Sequence, residues 1–370
     1  MLITFLVSFM LALLGCGLAV RHSPPRWRQY PINRPQRFHG TDTPRLGGAV
    51  IAAVFFGVGC GGSWLVSSAS PAAVAGVYDP LAWWTRLGAV ILPALLAGVA
   101  EDLTHAVAPR WRLLATSLSG LLAILLLDLR VERIDIASLD PWLALHPVMG
   151  IALAWLAVAA MPHAINLIDG YNGLAATFVL MAGAGLAYVA LKVQDWHLLT
   201  VLVCLLGVTA GFWFWNYPRG LLFAGDGGAY FWGVVLAIVS LTLVLRNPEV
   251  SPWFPVVLLA YPIMETVFSV YRKWVRGQSP SVADALHFHQ LVYRRLVRGV
   301  FHDDRARRLL MRNNRTSPYL WAVALVAIVP AIIFWWNTPV LVTWFMLFML
   351  AYIGAYLAMI RFKVPKWLRR

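Results

Sequence analysis

His163-Ala164-Ile165-Asn166-Leu167-Ile168-Asp169-Gly170-Tyr171-Asn172-Gly173-Leu174 joins two long apolar runs, Pro147–Ile165 and Leu174–Leu191. Each run approaches the roughly 17–25 residues that a helix needs to cross a bilayer. The join is a short turn of two Asn, one Asp and two Gly, and Gly170 and Gly173 permit a tight backbone or a close approach to a ligand. Any Gly/Asn turn would cap a helical hairpin. Asp169 asks for more: it is an acid at the membrane boundary with no basic neighbour in sequence, and such acids are functional candidates.

Outward from this turn the chain keeps the same character. It has 370 residues, 60% hydrophobic and 12% charged, with mean hydropathy +0.71, against about 25% charged in soluble domains. The expected fold class is an all-α polytopic membrane protein, because helix satisfies every backbone group without water. Trp83, Trp84, Trp142, Trp196, Trp253, Trp335 and Trp336 fall at run ends, as interfacial belts require. Cys16, Cys60 and Cys204 lie inside apolar runs and suggest neither a disulfide framework nor a zinc motif.

Eleven spans are expected: Leu2–Val20, Leu46–Val66, Leu81–Ala100, Leu113–Leu127, Pro147–Ile165, Leu174–Leu191, Leu198–Trp215, Ala229–Leu245, Trp253–Val270, Tyr319–Trp336 and Val340–Ile360. The first lacks a basic n-region and is followed by Arg21, Arg26 and Arg28, the charge order of an N-out anchor rather than a cleaved signal. Leu13-Leu14-Gly15-Cys16 has the outline of a lipoprotein cleavage site but lacks the preceding positive charge. From a periplasmic N-terminus, the segments 21–45, 101–112, 166–173, 216–228 and 271–318 and the tail from Arg361 are cytoplasmic. They hold 25 of the 30 Lys and Arg, leaving Arg86, Arg130, Arg133, Lys192 and Arg246 outside, which is the positive-inside bias. The chain reads as one integral-membrane domain, 1–370, whose cytoplasmic loops form the active-site face.

The formal net charge is +14. No nucleic-acid motif accompanies it, so anionic membrane lipids and anionic substrates are the expected partners. Within 271–318, Phe288, Val292, Leu296 and Val300 form a helical stripe flanked by Arg294, Arg295 and Arg298, as for a helix on the inner membrane face.

The acids sort by side. Glu101-Asp102, Asp169, Asp226 and Glu265 all fall at cytoplasmic ends of spans, where a bundle can gather them. Asp226 stands in Phe223-Ala224-Gly225-Asp226-Gly227-Gly228 before the eighth span; small residues let a phosphate or metal approach, and the helix start attracts anions. Magnesium takes one or two carboxylates and fills its shell with water and phosphate, a demand that Asp226 with Asp102 or Asp169 meets. Arg37-Phe38-His39-Gly40-Thr41-Asp42-Thr43-Pro44-Arg45 offers cations for a diphosphate. His287 and His289 point apart on a helix, so for both to reach one ligand they must lie in a loop or at a helix start.

These ordered motifs resemble the polyprenyl-phosphate N-acetylhexosamine-1-phosphate transferases, glycosyltransferase family 4. Arg37, His39, Pro44, Gly47 and Gly48 match the family's first motif, and Glu101-Asp102 matches its acidic pair. Asn166, Asp169, Gly170, Asn172 and Gly173 match its central turn, and Phe223, Gly225 and Asp226 its Phe-x-Gly-Asp motif. Arg276, Ser279-Pro280, His287 and His289 match its histidine motif. Eleven spans look more like the WecA-type branch than the peptidoglycan branch. Three departures stand out: Glu101 where Asp is usual, Asn172 where the turn has a second acid, and a histidine motif that lacks a further His.

The resemblance implies an enzyme of the bacterial inner (cytoplasmic) membrane, with its active site on the cytoplasmic face. It implies transfer of a sugar-1-phosphate from a UDP-N-acetylhexosamine to undecaprenyl or another polyprenyl phosphate, releasing UMP and starting a lipopolysaccharide or other cell-envelope glycan. The implied cofactor is magnesium, with manganese as a substitute. It implies Asp226 as the main metal ligand, joined by Asp102 and Asp169, and Asp102 with Glu101 near the acceptor phosphate. Asn166, Asn172, Phe223 and Gly225 would meet the nucleotide, and Arg45, His39, Arg276, His287 and His289 the diphosphate or sugar. A homodimer is compatible with this reading, and no nucleic acid is expected. The alternative is a transporter or flippase for an anionic lipid-linked substrate, which calls for internal repeats and mid-membrane polar residues; the sequence has neither. A phosphatidyl-type alcohol transferase would place Ala-Arg soon after Asp-Gly, where this chain has Tyr171-Asn172-Gly173-Leu174.

Overall fold

A helix that is apolar on every side either faces lipid or is enclosed by its neighbours, and one helix here is enclosed on nearly every side. Gly225–Arg246 is buried along most of its length and forms the axis of the protein. The computed structural model describes residues 1–24, 43–69, 79–277, 286–297, 300 and 302–361. In chain order its helices are α1 (Leu2–His22), α2 (Gly47–Ala69), α3 (Pro80–Thr104), α4 (Pro109–Leu127), α5 (Asp140–Leu145), α6 (Pro147–Ile168) and α7 (Leu174–Lys192). They continue with α8 (Trp196–Asn216), α9 (Gly225–Arg246), α10 (Trp253–Leu258), α11 (Ala260–Val275), α12 (Phe288–Arg295), α13 (Arg305–Ile333) and α14 (Thr338–Ile360). Among the described residues there is no strand.

Ten of these helices are long and apolar enough to cross a membrane. The remaining expected span, Trp253–Val270, is divided into α10 and α11, which meet at Leu259. Pro262 explains the division: it cannot donate to the Leu258 carbonyl, and its ring crowds that turn. Beyond the break, α11 is inverted relative to a soluble helix. Glu265, Ser269 and Arg272 are buried, whereas Val267, Val270, Tyr271 and Trp274 are exposed.

Small residues set the packing. The buried positions of α1 are Ser8, Ala12 and Cys16, four residues apart, and they face α8 at Gly207 and Gly211. A Cβ on Gly211 would lie 2.6 Å from the Phe9 carbonyl oxygen, the close backbone approach by which membrane helices associate. Around α9 the same device recurs three times. A methyl group on Gly48 would collide with the Gly228 backbone, one on Gly98 would lie 2.6 Å from the Gly227 nitrogen, and one on Gly233 would collide with Pro162. The starts of α2 and α9 and the end of α3 are therefore in backbone contact.

At the opposite end the loops are tied by ordinary polar bonds. Arg133 pairs with Asp135 at 2.5 Å and donates to the Pro248 and Val250 carbonyls at 2.7 Å, while the Thr338 hydroxyl donates to Asp135 at 2.8 Å.

Candidate active site

The start of α9 is held by an acid from another helix. Asp102, in the last turn of α3, accepts from the Asp226 N–H on Oδ1 at 2.9 Å and from the Gly227 N–H on Oδ2 at 2.8 Å. These are two of the orphan donors that every helix N-terminus presents, and a carboxylate there is favoured by the helix dipole. Gly225 makes the approach possible: its φ is +71°, and a Cβ at that position would collide with the Asp102 carboxyl group. The segment before α2 closes the third side. Phe223 N–H donates to the Pro44 carbonyl, Gly47 N–H to the Phe223 carbonyl and Gly48 N–H to the Ala224 carbonyl, all between 2.9 and 3.0 Å.

So anchored, Asp226 meets two arginines. Arg112 Nη1, from the first turn of α4, lies 2.6 Å from Oδ2, and Arg45 Nη2 lies 3.6 Å from Oδ1. Arg45 Nε also stands 3.5 Å from Asp102. One turn beyond Asp226, the Tyr230 hydroxyl is within hydrogen-bond reach of Asn166 and Arg112. Its ring meets His163 edge-on at 5.1 Å, and His163 Nε2 is 3.0 Å from the Thr116 hydroxyl.

Asp169 caps α6 in the same cleft and interacts electrostatically with Arg45 and Asp226. Among the described residues no hydrogen bond or ion pair reaches its carboxylate. Desolvation, opposed by Arg45 and reinforced by the Asp226 charge, pushes it up to about 7. Two carboxylates facing one space, one of them without a partner, form a donor set that fits a hard dication. No three His, Cys, Asp or Glu side chains form an all-protein metal cage among the described residues, and magnesium does not require one.

On the far side of the turn stands a second cluster. His287 is the N-cap of α12 and His289 its second residue; because the cap backbone is extended (φ −65°, ψ 150°), the two rings stack at 5.4 Å and 10° instead of pointing apart. Gly170 admits them: a Cβ there would lie 2.9 Å from His289 Nε2. Burial, opposed by the Glu265 charge, pushes the His289 imidazole down to about 3, so it stays neutral.

The structure thus brings Arg45, Asp102, Asp169, Asn166, Gly225, Asp226, His287 and His289 to one end of the bundle. Phe223 is half-buried at its rim and Arg276 is exposed at the end of α11. His39 lies outside the described residues, as do Arg37, Ser279 and Pro280.

Three of the expected site residues also make structural bonds. Asp102, expected as metal ligand or base, accepts an α9 N–H on each oxygen and so also clamps the start of that helix. Glu101, expected beside the acceptor phosphate, accepts from the Val107 N–H at 2.9 Å and orders the α3–α4 loop. Asn172, expected at the nucleotide, is 1% exposed. Its N–H donates to Asn313 at 2.8 Å, its amide to Asn314 at 3.0 Å, and its carbonyl accepts from the Ser317 hydroxyl at 2.6 Å. It fastens the turn to α13. Asn172→Ala would remove the side-chain bond to the half-buried Asn314 but neither backbone bond, so it is expected to lower stability by about 0.5–1.5 kcal/mol and to leave the apparent KM for nucleotide unchanged. Melting curves and saturation kinetics on the same preparation check this.

Sequence reasoning missed two residues. Arg112 counted only as a topogenic charge, although its place ten residues after Asp102 and at the start of a span was a usable signal. Glu265 was grouped with the acids but given no role.

Residues 84–244, from α3 through α9, match the family model described as glycosyl transferase family 4. Over that stretch, a little under half of the chain, the sequence is similar to this family. Similar proteins include a probable undecaprenyl-phosphate N-acetylglucosaminyl 1-phosphate transferase of Bacillus subtilis, 27% identical over 74% of this chain and 70% of that protein. A decaprenyl-phosphate N-acetylglucosaminephosphotransferase of Mycolicibacterium smegmatis is 28% identical over 70% of this chain and 67% of its own. A phospho-N-acetylmuramoyl-pentapeptide-transferase of Lactococcus lactis is 26% identical over 54% of this chain and 60% of that protein. The family 4 match contains Asp102, Arg112, Asp169 and Asp226, while Arg45, Glu265 and the two histidines lie outside it.

Proposed function

We propose that this protein is a family 4 member that transfers an N-acetylhexosamine-1-phosphate from a UDP-sugar to undecaprenyl phosphate or another polyprenyl phosphate. An acceptor phosphate oxygen forms a bond to the sugar-bearing phosphorus, the bond to the bridging oxygen breaks, and UMP leaves with that oxygen. The observation that carries this reading is the gathering of Asp226 and Asp169 with Arg45 and Arg112 at the helix ends, in a chain aligned with polyprenyl-phosphate transferases. A phosphate monoester is largely dianionic near neutral pH, its second pKa being about 6, so the acceptor needs little deprotonation. What it needs is alignment and neutralisation.

Asp226 and Asp169 are the residues that would hold magnesium. Once bound, the ion would screen the diphosphate and polarise its reacting phosphoryl group. Arg45 and Arg112 supply fixed positive charge on either side of Asp226, Asn166 and Tyr230 orient the donor, and the neutral His289 and its neighbour His287 border the diphosphate.

Full-length protein purified in detergent should release UMP only when a UDP-N-acetylhexosamine and undecaprenyl phosphate are both present, and chelation with EDTA should abolish release. UMP release without the lipid, or lipid movement across vesicles without release, would overturn the reading.

The site face is the cytoplasmic one in this proposal, because the Lys and Arg divide 25 to 5 in its favour. A reporter fused after Arg370 is expected to read cytoplasmic and one inserted between Val74 and Asp79 periplasmic; both on one side would refute the assignment.

A further inference from the structure

Glu265 is an acid that the reaction as described does not use. It is 1% exposed, on the inward face of α11 just after the break at Leu259. An ionised carboxylate in such a place costs several kcal/mol unless it is paired and hydrogen-bonded. The partners come from two other elements. The Tyr352 hydroxyl of α14 donates to Oε2 at 2.7 Å, and the Phe288 N–H in the first turn of α12 donates to Oε1 at 2.9 Å. Oε1 also lies 3.2 Å from His287 Nδ1, within ion-pair distance of the ring.

The bond to Phe288 N–H matters as much as the one to the ring. Phe288 follows the N-cap, so its N–H has no acceptor within its own helix. By filling that vacancy Glu265 fixes where α12 begins, and the start of α12 is what makes the two imidazoles parallel. His287 is held at its Nδ1 edge by Glu265 and across its face by His289. His289 in turn rests against Gly170, next to Asp169. The other groups around the carboxylate are Tyr261 and Arg272 of α11 and Tyr352 of α14. Arg272 is itself sandwiched near the rings of Phe268 and Tyr356, at 5.8 and 5.1 Å.

We propose that Glu265 is a positioning residue that acts through His287, fixing the start of α12 so that the Nε2 edge of His287 faces the diphosphate of the donor. This rests on the transferase reading above and assigns that site a carboxylate–histidine pair. It touches no reacting atom and would work by orientation, as a carboxylate behind a histidine does in other sites.

The test is a double-mutant cycle on the full-length protein. Glu265→Gln keeps the size of the side chain but leaves one acceptor oxygen for three donors. It should lower kcat/KM for the UDP-sugar about tenfold, whereas the same substitution in a His287→Ala background should cost less than about twofold. Costs that multiply in the double variant, or near-normal kcat/KM in Glu265→Gln, would overturn the proposal. A general loss of packing would multiply and would lower the melting temperature equally in both backgrounds. If Glu265→Gln does not fold, Tyr352→Phe removes one of the carboxylate's restraints and enters the same cycle with the same criterion.

A further readout needs no turnover. Diethyl pyrocarbonate ethoxycarbonylates accessible imidazoles, and peptide mass spectrometry resolves His287 from the exposed His146. In ligand-free protein Glu265→Gln should speed labelling of His287 severalfold relative to His146. Faster labelling in a protein inactive toward every UDP-sugar would mean that the positioning holds and the transferase reading fails; unchanged labelling would sink the positioning itself.

Discussion

Asp226→Asn lowers turnover by at least about 10²-fold, the usual loss when one electrostatic contact to a transition state is removed. The substitution preserves size and leaves one oxygen to accept from Arg112, now 2.6 Å from Oδ2. What disappears is the charge that a hard cation requires. A magnesium titration of UMP release on folded variant protein should therefore reach a plateau far below the wild-type rate. Near-normal turnover with unaltered magnesium dependence would remove Asp226 from the metal site and leave Asp169 as its centre.

Asp102→Asn has a comparable effect for a different reason. An amide presents one acceptor where two backbone donors, Asp226 N–H and Gly227 N–H, converge, and its own N–H₂ points at the second donor. Hydrogen bonds to a charged acceptor contribute about 1.5–3 kcal/mol, so the melting temperature should fall together with kcat. Added magnesium should restore neither, because the loss lies in where Asp226 is held. Recovery at high magnesium with unchanged stability would return Asp102 to the role of metal ligand.

Much of this was legible in the sequence, and the reason is the bilayer. A solvent that admits only continuous apolar helix turns span-finding into counting, which is why the hairpin at Asp169 and the ten long helices lie where hydropathy puts them. The motif glycines were legible as well, since Gly225 and Gly170 stand where a Cβ would strike Asp102 or His289. What the sequence withheld is which helix ends meet. Arg112 reads as one more cytoplasmic charge until α4 is laid beside α9. Glu265 reads as a boundary acid until its span is broken at Leu259 and α12 is brought against it. Asn172 follows the same logic in reverse: its position in a functional motif suggested a ligand, but α13 reaches that turn first. His287 and His289 were legible only as a condition, a loop or helix start, and the extended cap at His287 meets it.

The site has two walls of different construction. One is glycine against glycine, Gly48 on Gly228 and Gly98 on Gly227, with no side chain between the backbones to yield. The other is carried by the Asp169 turn and α12, whose contacts are ring stacking and side-chain hydrogen bonds. For anyone wishing to redirect the enzyme to another sugar, this division is a map of where change is affordable. Libraries confined to the turn and to α12 can reshape the donor pocket residue by residue, whereas a single added methyl on the glycine wall would prise apart three helices at once.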